Sequence, residues 1–248
     1  MLPEIPLTGE RTAPGRDTEN YWFVRHLACY EWAAAHLASC TDPGPILDAG
    51  AGEGYGARLL ADTCGRGVCA VELDEPTAVH IAERYPGLLA VRANLIGLPF
   101  ADASFAAVVS LQVVEHIWDP VVYLRELARC ARGSVIVSTP NRPIHSPTLL
   151  PGGRPDNPFH VREFDAGELS KLLHSATPER SVRILGLHHG PRIRAWEERY
   201  GSLPRTLSDS THDDTAVTRA LDFAATLDSG DFRVEAETAG AHDLVALW

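Results

Sequence analysis

The stretch Ile46-Leu47-Asp48-Ala49-Gly50-Ala51-Gly52-Glu53-Gly54-Tyr55-Gly56 decides the fold of this chain. Its apolar start predicts a buried strand, its alternating glycines predict a tight loop, and its end predicts the first turn of a helix. In doubly wound α/β proteins such a unit binds a nucleotide-like ligand at the carboxyl end of the strand. We therefore expect a Rossmann-like α/β sheet, mostly parallel, with an antiparallel edge strand.

Two interpretations of the ligand compete at this loop. Gly52-x-Gly54-x-x-Ala57 fits a dinucleotide fingerprint, whereas Asp48-x-Gly50-x-Gly52-x-Gly54 fits a loop that binds S-adenosylmethionine. Glu53 would repel an anionic pyrophosphate. S-adenosylmethionine instead carries a cationic sulfonium and an α-ammonium, which Asp48 and Glu53 would attract. We predict S-adenosylmethionine; an NAD-dependent enzyme, or a loop that only packs a helix against a strand, are the alternatives.

Polar residues after the next strands extend this predicted ligand site. Glu72 ends a second apolar run about 20 residues beyond the loop, where a carboxylate accepts hydrogen bonds from both ribose hydroxyls. Asn94 offers an amide oxygen to the adenine amine and Leu95 an N–H to a ring nitrogen, or Asn94 closes an Asx-turn. The predicted cofactor-binding residues are Asp48, Gly50, Gly52, Glu53, Gly54, Glu72, Leu73, Asn94, Leu95 and Gln112.

Composition narrows the classes of partner. The chain has 248 residues, 45% of them apolar, which suits one α/β domain with a sizeable core. Its formal net charge of −11 argues against a nucleic-acid substrate, which demands a basic face. Five cysteines without a C-x-x-C spacing favour a reducing cytoplasm. The start lacks a leader pattern and no run approaches ~20 apolar residues, so we expect neither export nor membrane insertion.

We divide the chain into regions of a single domain, residues 1–248. Residues 1–40 form an N-terminal cap helix region, whose aromatic-rich helix either covers the sheet or closes over the ligand. Residues 44–190 form the cofactor-binding core. Residues 140–163 and 200–215 are predicted substrate or lid loops, because prolines exclude a regular element from 140–159 and Ser, Thr and Asp dominate 200–215.

The motifs together resemble the class I S-adenosylmethionine-dependent methyltransferases over about residues 44–190. The resemblance rests on the loop Asp48–Gly54, the acid Glu72, the Asn94-Leu95 turn with Leu98-Pro99-Phe100, and Val114-Glu115-His116. Most relatives carry aspartate where this chain has Asn94, which keeps the adenine acceptor and removes a charge.

A narrower resemblance is to actinobacterial sugar O-methyltransferases, which act on mycobacterial polymethylated polysaccharides built from methylmannose or methylglucose. The motifs that carry it are Leu7-Thr8-Gly9-Glu10-Arg11, Glu19-Asn20-Tyr21-Trp22-Phe23, Ser138-Thr139-Pro140-Asn141, Asn157-Pro158-Phe159-His160 and His189-Gly190-Pro191-Arg192. It implies methyl transfer to a sugar hydroxyl of a mannoside or glucoside oligosaccharide. A methyltransferase for a non-sugar metabolite and a non-catalytic S-adenosylmethionine-binding regulator are the alternatives.

Methyl transfer to a hydroxyl needs alignment of the reacting atoms and a general base, most often histidine. His145 and His160 bracket the loop that leaves the fifth predicted strand, so we predict them as catalytic, with Glu163 or Glu115 orienting one of them. The predicted substrate-binding residues are Tyr21, His116, Asn141 and His189. His116 beside Glu115 also fits a structural pair.

A divalent metal such as Mg²⁺ and assembly as a homodimer stay open from the sequence. Carboxylates that orient two sugar hydroxyls through Mg²⁺ would need to cluster, and the chain shows no convincing ligand spacing for such a cluster.

Overall fold

The computed structural model describes residues 11–149, 153–208 and 214–248. One sheet is formed by the strands β1 (Ile46–Ala49), β2 (Val68–Glu72), β3 (Leu89–Arg92), β4 (Phe105–Leu111), β5 (Ala131–Pro140), β6 (Arg183–His189), β7 (Phe232–Glu235) and β8 (Asp243–Leu247). The α-helices are α1 (Asn20–Ala38), α2 (Tyr55–Cys64), α3 (Glu75–Arg84), α4 (Pro120–Cys130), α5 (Arg142–His145), α6 (Ala166–Ala176), α7 (Pro191–Tyr200), α8 (Leu203–Ser208) and α9 (Asp214–Ala224).

The strands lie in the order β3-β2-β1-β4-β5-β8-β6-β7. β1 pairs in parallel with β2 and β4, and parallel pairs also join β2 to β3 and β4 to β5. β8 lies antiparallel between β5 and β6, and β7 forms an edge antiparallel to β6. The predicted fold class is confirmed, and the interior antiparallel strand β8 adds to it.

The chain order of the strands reverses at β1, which lies between β2 and β4. In open α/β sheets, ligands bind in the crevice outside the carboxyl ends of the strands at such a switch point. The loops that follow β1, β2 and β4 therefore share one edge of the sheet, and they carry the predicted cofactor-binding residues.

Helices cover both faces of the sheet. Successive residues of β1 point to opposite faces, so Ile46 belongs to a core with α1 and α2, and Leu47 belongs to a core with α4 and α6. All seven residues of β4 are buried, as expected for a parallel strand covered on both faces.

Local sequence signals explain the start of three helices. α2 begins directly after Gly54, as the end of the glycine stretch predicts. Asp74 caps α3 through a hydrogen bond that its side chain accepts from Thr77 N. Asp165 and Glu168 form a reciprocal capping box at the start of α6.

The prediction that no regular element lies between Pro140 and Phe159 is wrong for one turn. α5 forms there, with Asn141 before it and Pro143 in its first turn. Proline fits the first turn of a helix because the missing N–H has no intrahelical partner at that position. Residues 150–152 of this stretch lie outside the described residues.

The predicted surface loop over residues 200–215 is also wrong in its described part. Residues 203–208 form α8, in which Leu203 and Thr206 are buried, and α8 contacts α9. The polar composition of this stretch did not indicate a helix, because packing against α9 overrides the local propensity. Helix α7, with Ile193 and Trp196 buried, was not predicted either. Residues 209–213 lie outside the described residues.

Within the described part of the chain, no helix combines the length and apolar character needed to cross a membrane.

The close contact of α1 with α2 gives a test of the fold. A Cβ at Gly56 would lie 2.2 Å from the ring of Tyr30, whose hydroxyl donates to Asp48. We expect Gly56→Val to lower the free energy of unfolding by ~1–3 kcal/mol, because the buried ring must shift. Gly67→Ala is the control, since a Cβ there meets no atom within 4 Å. Denaturant titrations that show equal losses for the two variants would contradict this packing.

Candidate active site

The three glycines of the loop after β1 adopt left-handed backbone conformations. Their φ angles are 84° at Gly50, 56° at Gly52 and 102° at Gly54. A Cβ at Gly50 would also lie 2.6 Å from Val113 Cγ2, whereas a Cβ at Gly52 would meet no atom within 4 Å. The loop therefore needs glycine for its turn, and the space above Gly52 is open for a ligand to approach the backbone.

Glu72 at the end of β2 is tied directly to this loop. Its Oε2 accepts a hydrogen bond from Gly52 N at 3.0 Å, and its Oε1 accepts from Leu73 N at 2.9 Å. The neighbouring Leu73 is 59% exposed. The structure thus brings Glu72, the predicted acceptor of hydrogen bonds from the ribose, to the glycine loop, which lies about 20 residues earlier in the chain.

The other two predicted acids, Asp48 and Glu53, are both buried and hydrogen-bonded within the protein. Asp48 is fully buried and accepts from Tyr30 OH, and burial raises its pKa to about 7. Glu53 is 6% exposed, and its oxygens bind His80 Nε2 at 2.7 Å and Tyr85 OH at 2.6 Å. Glu53 therefore holds the loop against α3 and the residue after it, and its attraction of the ligand stays a prediction.

Asn94 forms the Asx-turn that the sequence left as an alternative. Its Oδ1 accepts from Ile96 N at 3.2 Å, and its side chain is exposed. Leu95 is buried. An amide oxygen has a second lone pair, so a role in binding adenine stays a prediction.

Gln112 directly follows β4, and its backbone adopts a left-handed conformation with φ of 57°. Non-glycine residues seldom adopt this conformation, and strained residues of this kind cluster at functional sites. Gln112 N donates to Ser138 O at 3.0 Å, and Nε2 donates to Ser138 Oγ at 3.0 Å. Its Oε1 lies 3.4 Å from Arg25 Nη2. The end of β5 therefore holds Gln112 in place.

A cavity of about 970 Å³ lies next to Gln112. The residues of its wall come from distant parts of the chain and include Trp22, Arg25 and His26 of α1, Glu115 after β4, residues 156–160, and Arg205 and Ser208 of α8. The wall also includes all three predicted catalytic residues, His145, His160 and Glu163. The structure brings these three side chains to one cavity.

His160 and Glu163 form a hydrogen-bonded pair in this wall. Glu163 Oε1 accepts from His160 Nδ1 at 2.7 Å, so the Nδ1 atom carries the proton. His160 Nε2 is then the unprotonated nitrogen, and it accepts a hydrogen bond from Asn157 Nδ2 at 3.1 Å. Glu163 is 3% exposed, and its Oε2 is buried without a hydrogen-bond partner among the described residues. Glu163 therefore orients His160, as predicted.

His145 lines the same cavity with a different hydrogen-bond pattern. Its Nε2 donates to His242 O at 3.0 Å, which leaves Nδ1 as the unprotonated nitrogen. Burial, with the positive charge of Arg25 nearby, lowers the pKa of His145 to about 3. His145 is therefore a neutral side chain at physiological pH and a weaker base than an unperturbed imidazole.

Glu115 and His116 fix the segment that carries His160. Glu115 O accepts from Val161 N at 2.8 Å, and its buried carboxylate accepts from Thr139 Oγ1 at 3.0 Å. Burial raises the pKa of Glu115 to about 8. His116 Nδ1 donates to Phe159 O at 3.1 Å, and its ring meets that of His160 edge to face.

Glu115, His116 and His160 offer ligand atoms that lie within 4.8 Å of one another. Two imidazoles and a carboxylate suit a first-row transition metal, whereas Mg²⁺ prefers oxygen ligands. This donor set does not fit the Mg²⁺ expectation.

None of the four predicted substrate-binding residues, Tyr21, His116, Asn141 and His189, is among the residues that line the cavity, and three of them make buried contacts elsewhere. Tyr21 OH donates to His189 Nε2 at 2.8 Å, and His189 Nδ1 donates to Glu197 Oε2 at 2.8 Å. Asn141 Nδ2 donates to Ala241 O at 2.8 Å. The side chains of Tyr21, Asn141 and His189 are buried and make internal contacts, so their direct binding of a substrate stays a prediction. The sequence showed their place in the chain, but not the distant partners that bury them.

Arg25 is a site residue that the sequence analysis missed. It lies in the cavity wall and is only 2% exposed. The sequence did offer a signal for Arg25, since it is a charged residue within the largely apolar stretch between Tyr21 and Trp32. A charge that is buried needs a partner, so such a residue indicates a buried ion pair.

Comparison with known proteins identifies the donor. The profile of the family described as "Methyltransferase domain" matches residues 47–137. A probable S-adenosylmethionine-dependent methyltransferase of Mycobacterium tuberculosis H37Rv is 48% identical over 201 residues, covering 79% of this chain and 69% of the relative. The chain belongs to the class I S-adenosylmethionine-dependent methyltransferases. A second probable S-adenosylmethionine-dependent methyltransferase, from Mycolicibacterium smegmatis, is 42% identical and covers 90% of this chain and 88% of the relative.

Solved structures share the fold of this methyltransferase. A possible histamine N-methyltransferase of Thermotoga maritima has a TM-score of 0.58 at 17% identity, with 91% of each chain covered. A geranyl diphosphate methyltransferase has a TM-score of 0.53 at 16% identity, covering 89% of this chain and 76% of the other. These likenesses support the fold alone, because the two proteins are named for unlike acceptors. The family implies S-adenosylmethionine as the cofactor of this chain.

The bond between Glu72 and the loop gives a test of the cofactor site. We expect Glu72→Ala to weaken binding of S-adenosylhomocysteine by about tenfold or more, because it removes a charged acceptor for the ribose hydroxyls. Calorimetric titration measures this change. Glu75→Ala is the matched control, since Glu75 is an exposed carboxylate that binds Arg92. An unchanged affinity in Glu72→Ala would remove Glu72 from the site.

Proposed function

We propose that this chain is an S-adenosylmethionine-dependent O-methyltransferase that methylates a hydroxyl of a mannoside or glucoside oligosaccharide in polymethylated polysaccharide biosynthesis. The motif resemblance to actinobacterial sugar O-methyltransferases supports this acceptor. The relatives of this chain come from mycobacteria, which is the group of organisms that the resemblance implies. The cavity supports it by its size and by the polar side chains in its wall, which can form hydrogen bonds with hydroxyl groups.

The hydrogen-bonded pair of His160 and Glu163 carries the proposal. Transfer to oxygen requires that a poorly acidic hydroxyl lose its proton as the new bond forms. His160 Nε2 is the unprotonated nitrogen, because Nδ1 donates to Glu163. The acceptor hydroxyl replaces Asn157 Nδ2 as the donor to Nε2, Nε2 takes the hydroxyl proton, and the Glu163 carboxylate stabilises the imidazolium that results. A neutral amine attacks with its own lone pair and need not lose a proton as the new bond forms, so an amine acceptor would not need the same pair.

The remaining residues of the site hold the two reactants. When bound, S-adenosylmethionine supplies an electrophilic methyl group. The glycine loop and Glu72 hold the adenosine part, and Gln112 lies between that part and the cavity. His145, neutral at physiological pH, binds the acceptor through its Nδ1 atom and gives a second position for a base.

Replacing the base tests this mechanism. We expect His160→Ala to lower kcat by ~10²–10⁴-fold with little change in the affinity for S-adenosylhomocysteine, because the imidazole acts on the acceptor. We expect His145→Ala to lower kcat less, because its basicity is already reduced. Steady-state turnover and calorimetry measure the two quantities separately. His174→Ala is the matched control, since His174 is an exposed histidine on α6.

A variant of Glu163 tests the hydrogen-bonded pair without removing His160. Glu163→Gln keeps the size of the side chain and removes its charge, so we expect an intermediate loss of kcat. Full turnover in His160→Ala would refute His160 as the base, and full turnover in both histidine variants would refute general-base catalysis by either histidine.

The acceptor class is tested with labelled S-adenosylmethionine and a panel of partly methylated mannosides and glucosides. We expect transfer to a sugar oxygen, identified by mass spectrometry and NMR of the product. A matched panel of phenols, amines and small acids serves as the comparison. Transfer only to that second panel would favour a non-sugar metabolite, whereas donor binding without transfer to either panel would favour a regulator.

A further inference from the structure

The guanidinium of Arg25 is held in the cavity wall by a buried ion pair. Nε donates to Asp243 Oδ2 and Nη2 donates to Asp243 Oδ1, both at 2.7 Å. The side chain of Arg25 is 3% exposed and that of Asp243 is fully buried. The guanidinium also lies over the ring of Trp22, with 5.2 Å between Cζ and the ring centroid. These contacts fix the plane of the guanidinium before any ligand binds.

One edge of this guanidinium lacks an acceptor. Nη1 is buried and has no hydrogen-bond partner among the described residues. Nη2 has a second N–H, and Gln112 Oε1 lies 3.4 Å away, at the long limit of a hydrogen bond. A guanidinium presents two edges that match a carboxylate, and Asp243 occupies only one of them. An unpaired charged donor in a protein interior calls for a partner.

The position of this edge indicates which molecule supplies the partner. Arg25 and Gln112 both line the cavity, and Val113, which follows Gln112, lies against the position of Gly50 in the donor loop. The cofactor carries one carboxylate, at its amino-acid end, whereas the proposed acceptor carries none. We propose that Arg25 binds the α-carboxylate of S-adenosylmethionine through Nη1 and Nη2, and that this carboxylate replaces the long contact with Gln112.

This assignment gives α1 a part in the cofactor site. The aromatic face of α1 covers the sheet, and Arg25 on the same helix reaches the donor. Asp243 at the start of β8 is a positioning residue, because it fixes Arg25 and leaves one edge of the guanidinium for the ligand. The proposal rests on the cofactor and is independent of the acceptor.

Binding measurements without any acceptor test the proposal. The probes are S-adenosylhomocysteine and S-adenosyl-3-thiopropylamine, which keeps the ammonium and lacks the carboxylate. We expect the wild-type chain to bind S-adenosylhomocysteine about tenfold or more tightly than the second probe. No preference in the wild-type chain would overturn the proposal, and this result does not depend on how any variant folds.

Arg25→Lys then locates the preference. Lysine keeps a positive charge opposite Asp243 but cannot present a two-nitrogen edge to a second carboxylate. We expect its affinity for S-adenosylhomocysteine to fall about tenfold or more while its affinity for the decarboxylated probe stays within about twofold. Equal losses for the two probes would show a purely structural role, and an unchanged preference would place the carboxylate elsewhere.

Arg132→Lys is the matched control for this variant. Arg132 also forms a two-nitrogen pair with an aspartate, with Nε and Nη2 at 2.6 and 2.8 Å from Asp42, but at the protein surface. We expect it to keep the preference for S-adenosylhomocysteine. If Arg25→Lys unfolds, the double variant Arg25→Met with Asp243→Asn removes both buried charges, and the same loss of preference is expected.

Discussion

The parallel pairing of β1 with β2 and β4 is the constraint on which the site depends. It places the carboxyl ends of three strands side by side, so that the loop after β1, Glu72 after β2 and Gln112 after β4 meet at one edge. The left-handed glycines let the chain turn there without side chains that would fill the approach to the backbone. Donor binding therefore follows from strand order together with a few residues of special conformation.

The second half of the site depends on burial of polar groups. The segment that carries His160 has no strand of its own to fix it, and Glu115 holds it through its backbone carbonyl. The carboxyl group of Glu115 is removed from water, which favours its neutral form near physiological pH and lowers the cost of placing it there. Burial also raises the pKa of Asp48 beneath the loop, to about 7.

The sequence predicted the parts of the site that follow directly from strand ends. The glycine loop, Glu72, Gln112 and His145 come directly after a strand or within a few residues of it, so their edge of the sheet was foreseeable. His160 and Glu163 lie about 20 residues beyond the end of β5, and their prediction rested only on their place at the end of the loop that leaves this strand. Side-chain direction was not foreseeable, as Glu53 shows by turning toward His80 and Tyr85. Tyr21 and His189 are 168 residues apart in the chain, and their bond depends on α1 packing near β6, which no local pattern reveals.

The residues that the family profile matches and the residues that line the cavity come largely from different parts of the chain. Among the described wall residues, only Gln112 and Glu115 fall within the matched range 47–137, and the others come from before α2 or after β5 begins. The part of the chain that the family profile matches therefore holds the donor loop and Glu72, whereas most of the cavity wall lies outside it. Because Arg25 lies in the wall and its Nη2 atom lies 3.4 Å from Gln112 Oε1, α1 connects the cavity wall to the residue that follows β4 at the donor edge of the sheet.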